Sequence, residues 1–356
     1  MEKKFKKHIP IDTVLNNYPD NYPEKRNFHD VKLTQAKDLF YYLNTIKFKL
    51  TGKRYNPLLK GLFFYWPDQK TPAYFFNSIN LGKNPWKVTF ETTIPRLGKA
   101  PKFIYDIAVK QLAKENCKEI IAISRCAYNM QLHYIKTSYP KYYNVIKSKM
   151  KIKHPYQEKH ITDYSQKKLL NDKIVFTLVG ADFFRKGGRE ILNVFNKLIP
   201  HKPELQLNIV SSMNYGDYAT QTTKQDMLMA MRIINKYPDN ITHYSSLPNS
   251  EVIELFKRSH IGLLPTWADT YGYSVLEAQA CGCPVISTNI RTLPEINNNK
   301  IGWLIDVPKD KFGNGIINTE DERMNFSKLL TDSLYNIVKE IDHQTIKIKA
   351  HEVIVS

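Results

Sequence analysis

A chain of 356 residues is long enough for two domains with separate cores, and it holds no uninterrupted apolar run of the roughly 18 to 20 residues that crossing a membrane requires. Its net charge of +18 is lopsided: residues 1–170 hold 32 Lys+Arg against 13 Asp+Glu, a net of +19, whereas residues 171–356 hold 20 against 21, a net of −1. The four cysteines form no C-x-x-C pair, and the basic start has no apolar stretch behind it, which points to reduced thiols in a soluble cytoplasmic protein and away from a disulfide-stapled exported one.

The first 60 residues are expected to be irregular, apart from LTQAKDLFYYLNTIKFKL (33–50), whose apolar residues recur at helical spacing. GLFFYW (61–66) reads as a buried strand closed by Pro67, and WKVTFE (86–91) as a second strand before a turn-rich segment. FIYDIAVKQLAKE (103–115) predicts a helix, CKEIIAISR (117–125) a helix end running into a short strand, and AYNMQLHYIKTSY (127–139) a helix stopped by Pro140. A linker-like stretch, KIKHPYQEKHITDYSQKK, follows.

Beyond it the pattern sharpens into strand and helix in alternation. KIVFTLVG (173–180), LQLNIVSS (205–212), NITHY (240–244), HIGLLPT (260–266) and PVIST (284–288) predict strands. Between them, REILNVFNKLI (189–199), QDMLMAMRIINKY (225–237), SEVIELFKRS (250–259) and SVLEAQACG (274–282) predict helices, the third capped by Asn249 or Ser250 and the last by Ser274. Such alternation makes a parallel sheet with right-handed crossovers, and ligands then sit outside the carboxyl ends of the strands.

Two constellations fall at those ends. GADFFRKGG (180–188) joins a strand to a helix; Gly187 and Gly188 permit close backbone approach, the helix start favours an anion, and Arg185 and Lys186 add two cations, a combination suited to a pyrophosphate. PTWADTYGYSVLEAQACGCPVIST (265–288) places the polar loop Asp269-Thr270-Tyr271-Gly272-Tyr273 before a helix, with Glu277 one turn inside it among apolar neighbours. Free N–H groups at the helix start suit phosphate or sugar oxygens, and two carboxylates accept hydrogen bonds from hydroxyls, which is chemistry for a polyol. No D-x-D and no tight His/Cys/Asp cluster appears, so no metal ligand is assigned.

These segments, with HYSSLPNSEVIELFKRSHIGLLPTWADTYGYSVLEAQACGCPVISTNIRTLPEI and CKEIIAISRCA, resemble the family-4 retaining glycosyltransferases of the GT-B fold. The family's E-x7-E signature stands here as Asp269 to Glu277, followed by Ala278. The resemblance implies an α/β fold of two Rossmann-like domains facing across a cleft: an acceptor-side domain at 1–155, a nucleotide-sugar domain at 165–320, and a last helix within 321–356 packing back toward the first. It also implies that Glu277 binds the ribose hydroxyls and that Lys186, with Arg185, neutralises the diphosphate. The backbone from Thr270 through Tyr271, Gly272, Tyr273 and Ser274, with the strand glycine Gly180, would hold the donor sugar and phosphate. Asp269 would orient the sugar hydroxyls, and Leu247 would mark where main-chain groups read the base. Two positions depart from the family pattern: an aspartate stands first in the signature, and Ala181 stands where an arginine often follows the strand glycine.

The expected reaction is transfer of a hexose from a nucleoside-diphosphate sugar to a hydroxyl of a glycan or lipid-linked acceptor, with retention of configuration and with neither cofactor nor metal. In the first half, Glu91 reads equally as an active-site acid at a strand end facing the cleft or as a turn-capping glutamate, and His133 reads as a packed helix residue, with a position facing the cleft as the alternative. The aromatic, basic stretch 40–66 reads either as an ordinary core helix and strand joined by a basic loop or, with the +19 of this half, as a surface for peripheral contact with an anionic membrane on its inner face. A GT-B epimerase or phosphorylase is the nearest alternative; a basic nucleic-acid-binding protein is the alternative from another class, for which no recognition helix or aromatic RNA platform is found, so nucleic acid is not an expected partner.

Overall fold

The computed structural model describes residues 12–16, 31–35, 39–52, 61–64, 70–170 and 172–356. It divides into two compact units, Met1–Tyr156 and Gln157–Ser356.

The described part of the first unit contains strands β1 (Asp12–Asn16), β2 (Val31–Gln35), β3 (Leu62–Phe63), β4 (Ala73–Phe76), β5 (Ile79–Asn80), β6 (Trp86–Phe90), β7 (Cys117–Ala122) and β8 (Met150–Ile152), with helices α1 (Leu39–Thr51), α2 (Lys102–Ala113), α3 (Arg125–Ser138) and α4 (Tyr143–Lys149). Six strands form a parallel sheet in the order β2-β1-β4-β6-β7-β8, and β3 pairs with β5 separately. Phe75, Val88, Phe90, Ile120 and Ala122 are buried between the layers, and Ala108, Val109 and Leu112 of α2 join the same core. The side chain of Ser124 accepts from the Ala127 amide to start α3, one of the four orphan donors of any helix start.

Several expectations are corrected here. The first 60 residues are not wholly irregular, since β1 and β2 pair in parallel within them; neither strand is long or periodic enough to be recognised without its neighbour. The strand expected at 61–66 is only two residues long among the described positions, while 65 and 66 lie outside them. Residues 117–122 are strand from Cys117 onward, not a helix end, because they pair with β6 on one side and β8 on the other. The linker-like stretch begins inside β8, which takes up Lys151 and Ile152, and contains a turn at Tyr164–Gln166 capped by Asp163.

The second unit follows the expected alternation: β9 (Ile174–Val179), α5 (Gly188–Leu198), β10 (Leu205–Val210), α6 (Lys224–Lys236), β11 (Ile241–Tyr244), α7 (Asn249–Lys257), β12 (Ile261–Leu264), α8 (Tyr273–Ala280), β13 (Val285–Thr288), α9 (Leu293–Ile296), β14 (Trp303–Ile305), α10 (Glu320–Glu340) and α11 (His343–Val355). The parallel sheet runs β11-β10-β9-β12-β13-β14. β9, β12 and β13 are nearly uniformly buried, as a sheet covered by helices on both faces requires. Where one last helix was expected there are two, and α10 buries Phe326, Leu330, Leu334 and Val338 at fourfold spacing in this unit's core, packed on α5.

The order of strands decides where a site can be. From β9 the chain steps outward through β10 to β11, then returns to lay β12 on the other side of β9. The loops after β9 and β12 therefore leave neighbouring strand ends in opposite directions, opening a crevice at the carboxyl edge of the sheet.

Candidate active site

Both constellations meet in that crevice. The loop after β9 is knitted to the loop after β12 through the Arg185 carbonyl, which accepts from the Trp267 amide at 2.9 Å and from Thr266 Oγ1 at 2.8 Å. Gly187 makes this approach possible: it adopts φ +82°, and a Cβ there would lie 2.2 Å from the Pro265 carbonyl oxygen. Gly180 gives room of another kind, since a Cβ on it would come within 2.9 Å of the Lys186 stem that lies across it.

Lys186 reaches from this strand end to the Asp269 carboxylate, forming an ion pair with only 14% and 12% of the two side chains exposed. The other Asp269 oxygen accepts from the Thr270 amide at 2.7 Å. Burial pushes the Asp269 carboxyl up, but the Lys186 ammonium, the Thr270 amide and Arg185 together outweigh it and hold the group below its ordinary range. Asp269 is thus an anion pinned in one orientation.

Arg185 is differently engaged than the sequence implies. It is paired with Asp182, Nε donating at 3.1 Å, and Nη1 donates to the Ala268 carbonyl at 2.8 Å. Burial works against its charge, yet Asp182 and Asp269 raise its pKa on balance. Asp182 was not singled out in the sequence, although its place three residues before Arg185 in a turn was the available signal.

After Asp269 the backbone turns through Gly272, at φ +93°, into α8; a Cβ there would meet Leu293 at 2.6 Å. The helix is therefore capped by this left-handed glycine and begins at Tyr273, so Ser274 is an interior residue rather than the expected cap. The Val275 amide in the first turn of α8 donates to the Gly272 carbonyl at 2.9 Å, and the N-terminal end of the helix, with its partial positive charge, opens on the crevice. Tyr271 is buried and stacks on Tyr273, ring centroids 5.1 Å apart, and burial beside Glu295 pushes its phenol up. The Thr270 carbonyl accepts from Thr292 Oγ1 at 3.1 Å.

Glu277 lies half-buried on the next turn of α8 and accepts from the Asn249 side-chain amide at 2.7 Å. Asn249 or Ser250 was expected to cap α7, but Pro248 occupies the cap position, and Asn249 directs its amide to Glu277. Leu247, two residues earlier, is half-buried against the core. The structure thus brings Gly180, Arg185, Lys186, Asp269, Thr270 and the start of α8 together, with Glu277 and the start of α7 adjoining.

One further residue braces the crevice without having been read from the sequence. Glu190, fully buried in the first turn of α5, accepts from Trp267 Nε1 at 3.3 Å, Ser327 Oγ at 2.6 Å and Arg189 Nε at 3.2 Å. It ties α5, the β12 loop and α10 at one point. The residues assigned in the first half belong to the other unit. Glu91 follows β6 and pairs with Arg96 at 3.4 Å, while His133 is exposed on α3 rather than packed, because α3 buries Ala127, Gln131 and Ile135 on the opposite side. Among the described residues, no three His, Cys, Asp or Glu side chains are gathered so as to hold a metal ion.

Residues 160–331 match the family described as glycosyl transferases group 1. A D-inositol 3-phosphate glycosyltransferase of Paenarthrobacter aurescens is 27% identical over 125 residues, 34% of this chain and 29% of that protein. Its counterpart in Corynebacterium jeikeium is 26% identical over 123 residues, again 34% and 29%. The chain thus spans less than a third of the length of these curated relatives. Among solved structures, a glycosyltransferase from Rickettsia africae superposes with TM-score 0.57 at 14% identity, covering 98% of this chain and 94% of that one. Anabaena HepE, crystallised with UDP and glucose, does so with TM-score 0.54 at 11% identity, covering 97% and 94%. At these identities the likeness is one of fold, and the fold is GT-B.

Proposed function

We propose that this chain, which carries a glycosyl transferases group 1 domain over residues 160–331, is a retaining glycosyltransferase that moves a hexose from a nucleoside-diphosphate sugar to a hydroxyl of a glycan or lipid-linked acceptor. The observation that carries the reading is the ion pair of Lys186 with Asp269 beside the glycine-capped start of α8, at the switch point of the sheet.

Each group has a role in that reading. Cleavage between the anomeric carbon and the phosphate develops positive charge on the sugar and negative charge on the departing diphosphate. Lys186, the first-turn amides of α8 and Arg185 meet the diphosphate, so transfer needs no metal. Asp269, an anion held by Lys186 and the Thr270 amide, orients sugar hydroxyls; Glu277, positioned by Asn249, grips the ribose; and the main chain at Leu247 reads the base. Attack comes from the same face as departure, with the donor phosphate receiving the acceptor proton, so no protein nucleophile is required. Glu91 is assigned to the acceptor side.

The acceptor is anionic or lies at an anionic surface. Support comes from the +19 of residues 1–170, from the phosphate-bearing acceptor in the names of the curated relatives, and from α1. That helix exposes Leu39, Tyr42, Leu43, Ile46 and Leu50 at helical spacing, and it carries Lys47 and Lys49, a composition suited to lying in a bilayer interface. No described helix is long and apolar enough to cross a membrane. Residues 53–60 and 65–66 of the aromatic stretch lie outside the described residues.

The test is calorimetric titration with UDP-, GDP- and ADP-sugars, followed by an assay for released nucleoside diphosphate with and without EDTA. One diphosphate sugar is expected to bind, and turnover is expected to be insensitive to EDTA. Glu277→Ala and Lys186→Ala are expected to abolish transfer with the fold intact; wild-type turnover in both removes the assignment.

A further inference from the structure

The second unit contains a cavity of about 410 Å³, in the size range of small-molecule sites, walled on one side by the Asp269 loop. Its walls bring together three guanidinium groups from distant segments: Arg185 after β9, Arg291 after β13 and Arg323 in the first turn of α10. Among the lining residues the one carboxylate is Asp269, whose charge Lys186 meets, and Arg185 is already paired with Asp182, so the charge left for a ligand is that of Arg291 and Arg323. The concentration of positive charge is local, because residues 171–356 as a whole carry a net of −1.

The guanidiniums are held rather than free to swing away. Arg291 donates from Nε to Asn314 Oδ1 at 2.7 Å, and Arg323 donates from Nη1 to the carbonyls of Ile317 and Asn318 at 3.1 and 3.2 Å. Each guanidinium has five N–H donors, so these bonds fix its orientation and leave others for a ligand. The backbone is constrained at the same wall. Arg291 has φ +47° and Gln221, another lining residue, has φ +52°, a conformation that costs of order 1 kcal/mol for residues other than glycine. Arg291 is locked there by its amide, which donates to the Gly313 carbonyl at 2.8 Å, and a Cβ on Gly313 would come within 2.9 Å of that amide nitrogen. Strain retained at a rigid arginine cluster beside a carboxylate is the arrangement of a ligand clamp.

We propose that this cavity binds the anionic substituent, carboxylate or phosphate, of a sugar ring whose hydroxyls reach Asp269. The substrate class is then an acidic sugar: a uronate, carried by the donor, or a sugar phosphate, serving as acceptor. This rests on the glycosyltransferase reading, and two stages of titration separate the fates of the two ideas.

In the first stage the full chain is titrated with UDP, GDP and ADP; binding of none overturns the glycosyltransferase reading whatever happens at the cavity. In the second, glucose, glucuronate and glucose 6-phosphate are titrated, each with the tightest-binding diphosphate present at saturation, or without one if none binds. At least one acidic sugar is expected to bind tenfold or more tightly than glucose. A preference for glucuronate identifies the carboxylate source, and one for glucose 6-phosphate the phosphate source. Arg291→Gln and Arg323→Gln are each expected to abolish that preference while leaving diphosphate affinity within twofold; a variant whose thermal unfolding shows it misfolded is set aside for the other. Equal binding of all three sugars by the wild-type chain, or a preference that survives in both variants, overturns the cavity proposal and leaves the glycosyltransferase reading standing.

Discussion

The Lys186 ammonium is hydrogen-bonded to the Asp269 carboxylate across 83 residues of chain, which makes each the partner that the other's burial requires. Lys186→Met leaves a nearly buried carboxylate unpaired and is expected to lower the unfolding free energy by about 3 kcal/mol, measured by urea titration at pH 7. The pH dependence follows from the depressed Asp269 pKa. Its stabilisation is fully present above the ordinary carboxyl value near 3.8 and is lost as the pH falls through the lower, folded value. An unchanged stability in Lys186→Met means that the pair is dispensable to the fold.

Asn249 donates to Glu277, and through it α7 sets the position of the carboxylate assigned to the ribose. Asn249→Ala is expected to raise the KM for the donor about fivefold, the loss of roughly 1 kcal/mol of hydrogen bonding, with kcat within twofold. Steady-state kinetics decide it; a fall in kcat at constant KM contradicts the positioning role.

Gly187 combines a left-handed backbone with a 2.2 Å approach of any Cβ to the Pro265 carbonyl. Gly187→Ala is expected to destabilise the chain by about 3 kcal/mol and to reduce turnover, since the loop carrying Lys186 must move away from β12. Thermal unfolding monitored by circular dichroism measures the first effect, and wild-type melting shows that the loop yields without cost.

Glu190 accepts from three side chains while fully buried. Glu190→Ala is expected to cost about 3 kcal/mol and Glu190→Gln less, because the amide keeps one acceptor oxygen. Tryptophan fluorescence adds a local readout, since Trp267 loses its acceptor in the alanine variant; equal stability of both variants with the wild type rules out the brace.

His260 is buried in the second unit, and its Nδ1 accepts from the Val175 amide at 3.1 Å. Burial, with His343 and Lys167 nearby, pushes its pKa down to about 4 from 6.5. The unfolded chain therefore takes up the proton first: the contribution is intact above pH 6.5, erodes as the pH falls and is lost by about pH 4, near 3 kcal/mol in all. Urea midpoints at pH 7, 5.5 and 4.5 should decline accordingly, and the decline should shrink in His260→Gln. A slope identical in that variant assigns the effect to other groups.

How much of this was legible beforehand differs between the two halves. In the second unit the strands carry near-continuous apolar runs and the helices between them are amphipathic, so local pattern and tertiary environment agree, and the elements from β9 to β13 fall where the periodicity put them. In the first, β1, β2 and β8 exist because neighbouring strands complete them; sequences so short and polar carry no periodic signal of their own.

What the amino-acid order determined by itself was the chemistry at the strand ends: two cations beside paired glycines, and two acids astride a glycine before a helix, each a consequence of local residue type and spacing. Only the tertiary structure decided how those groups are engaged. Lys186 forms an ion pair with Asp269, Arg185 is shared with Asp182, Asn249 holds Glu277, and Arg291 and Arg323 arrive on one cavity from segments far apart in the chain. Side-chain partners are set by which strand ends the sheet order makes adjacent, and that adjacency is a long-range property that spacing along the chain does not encode.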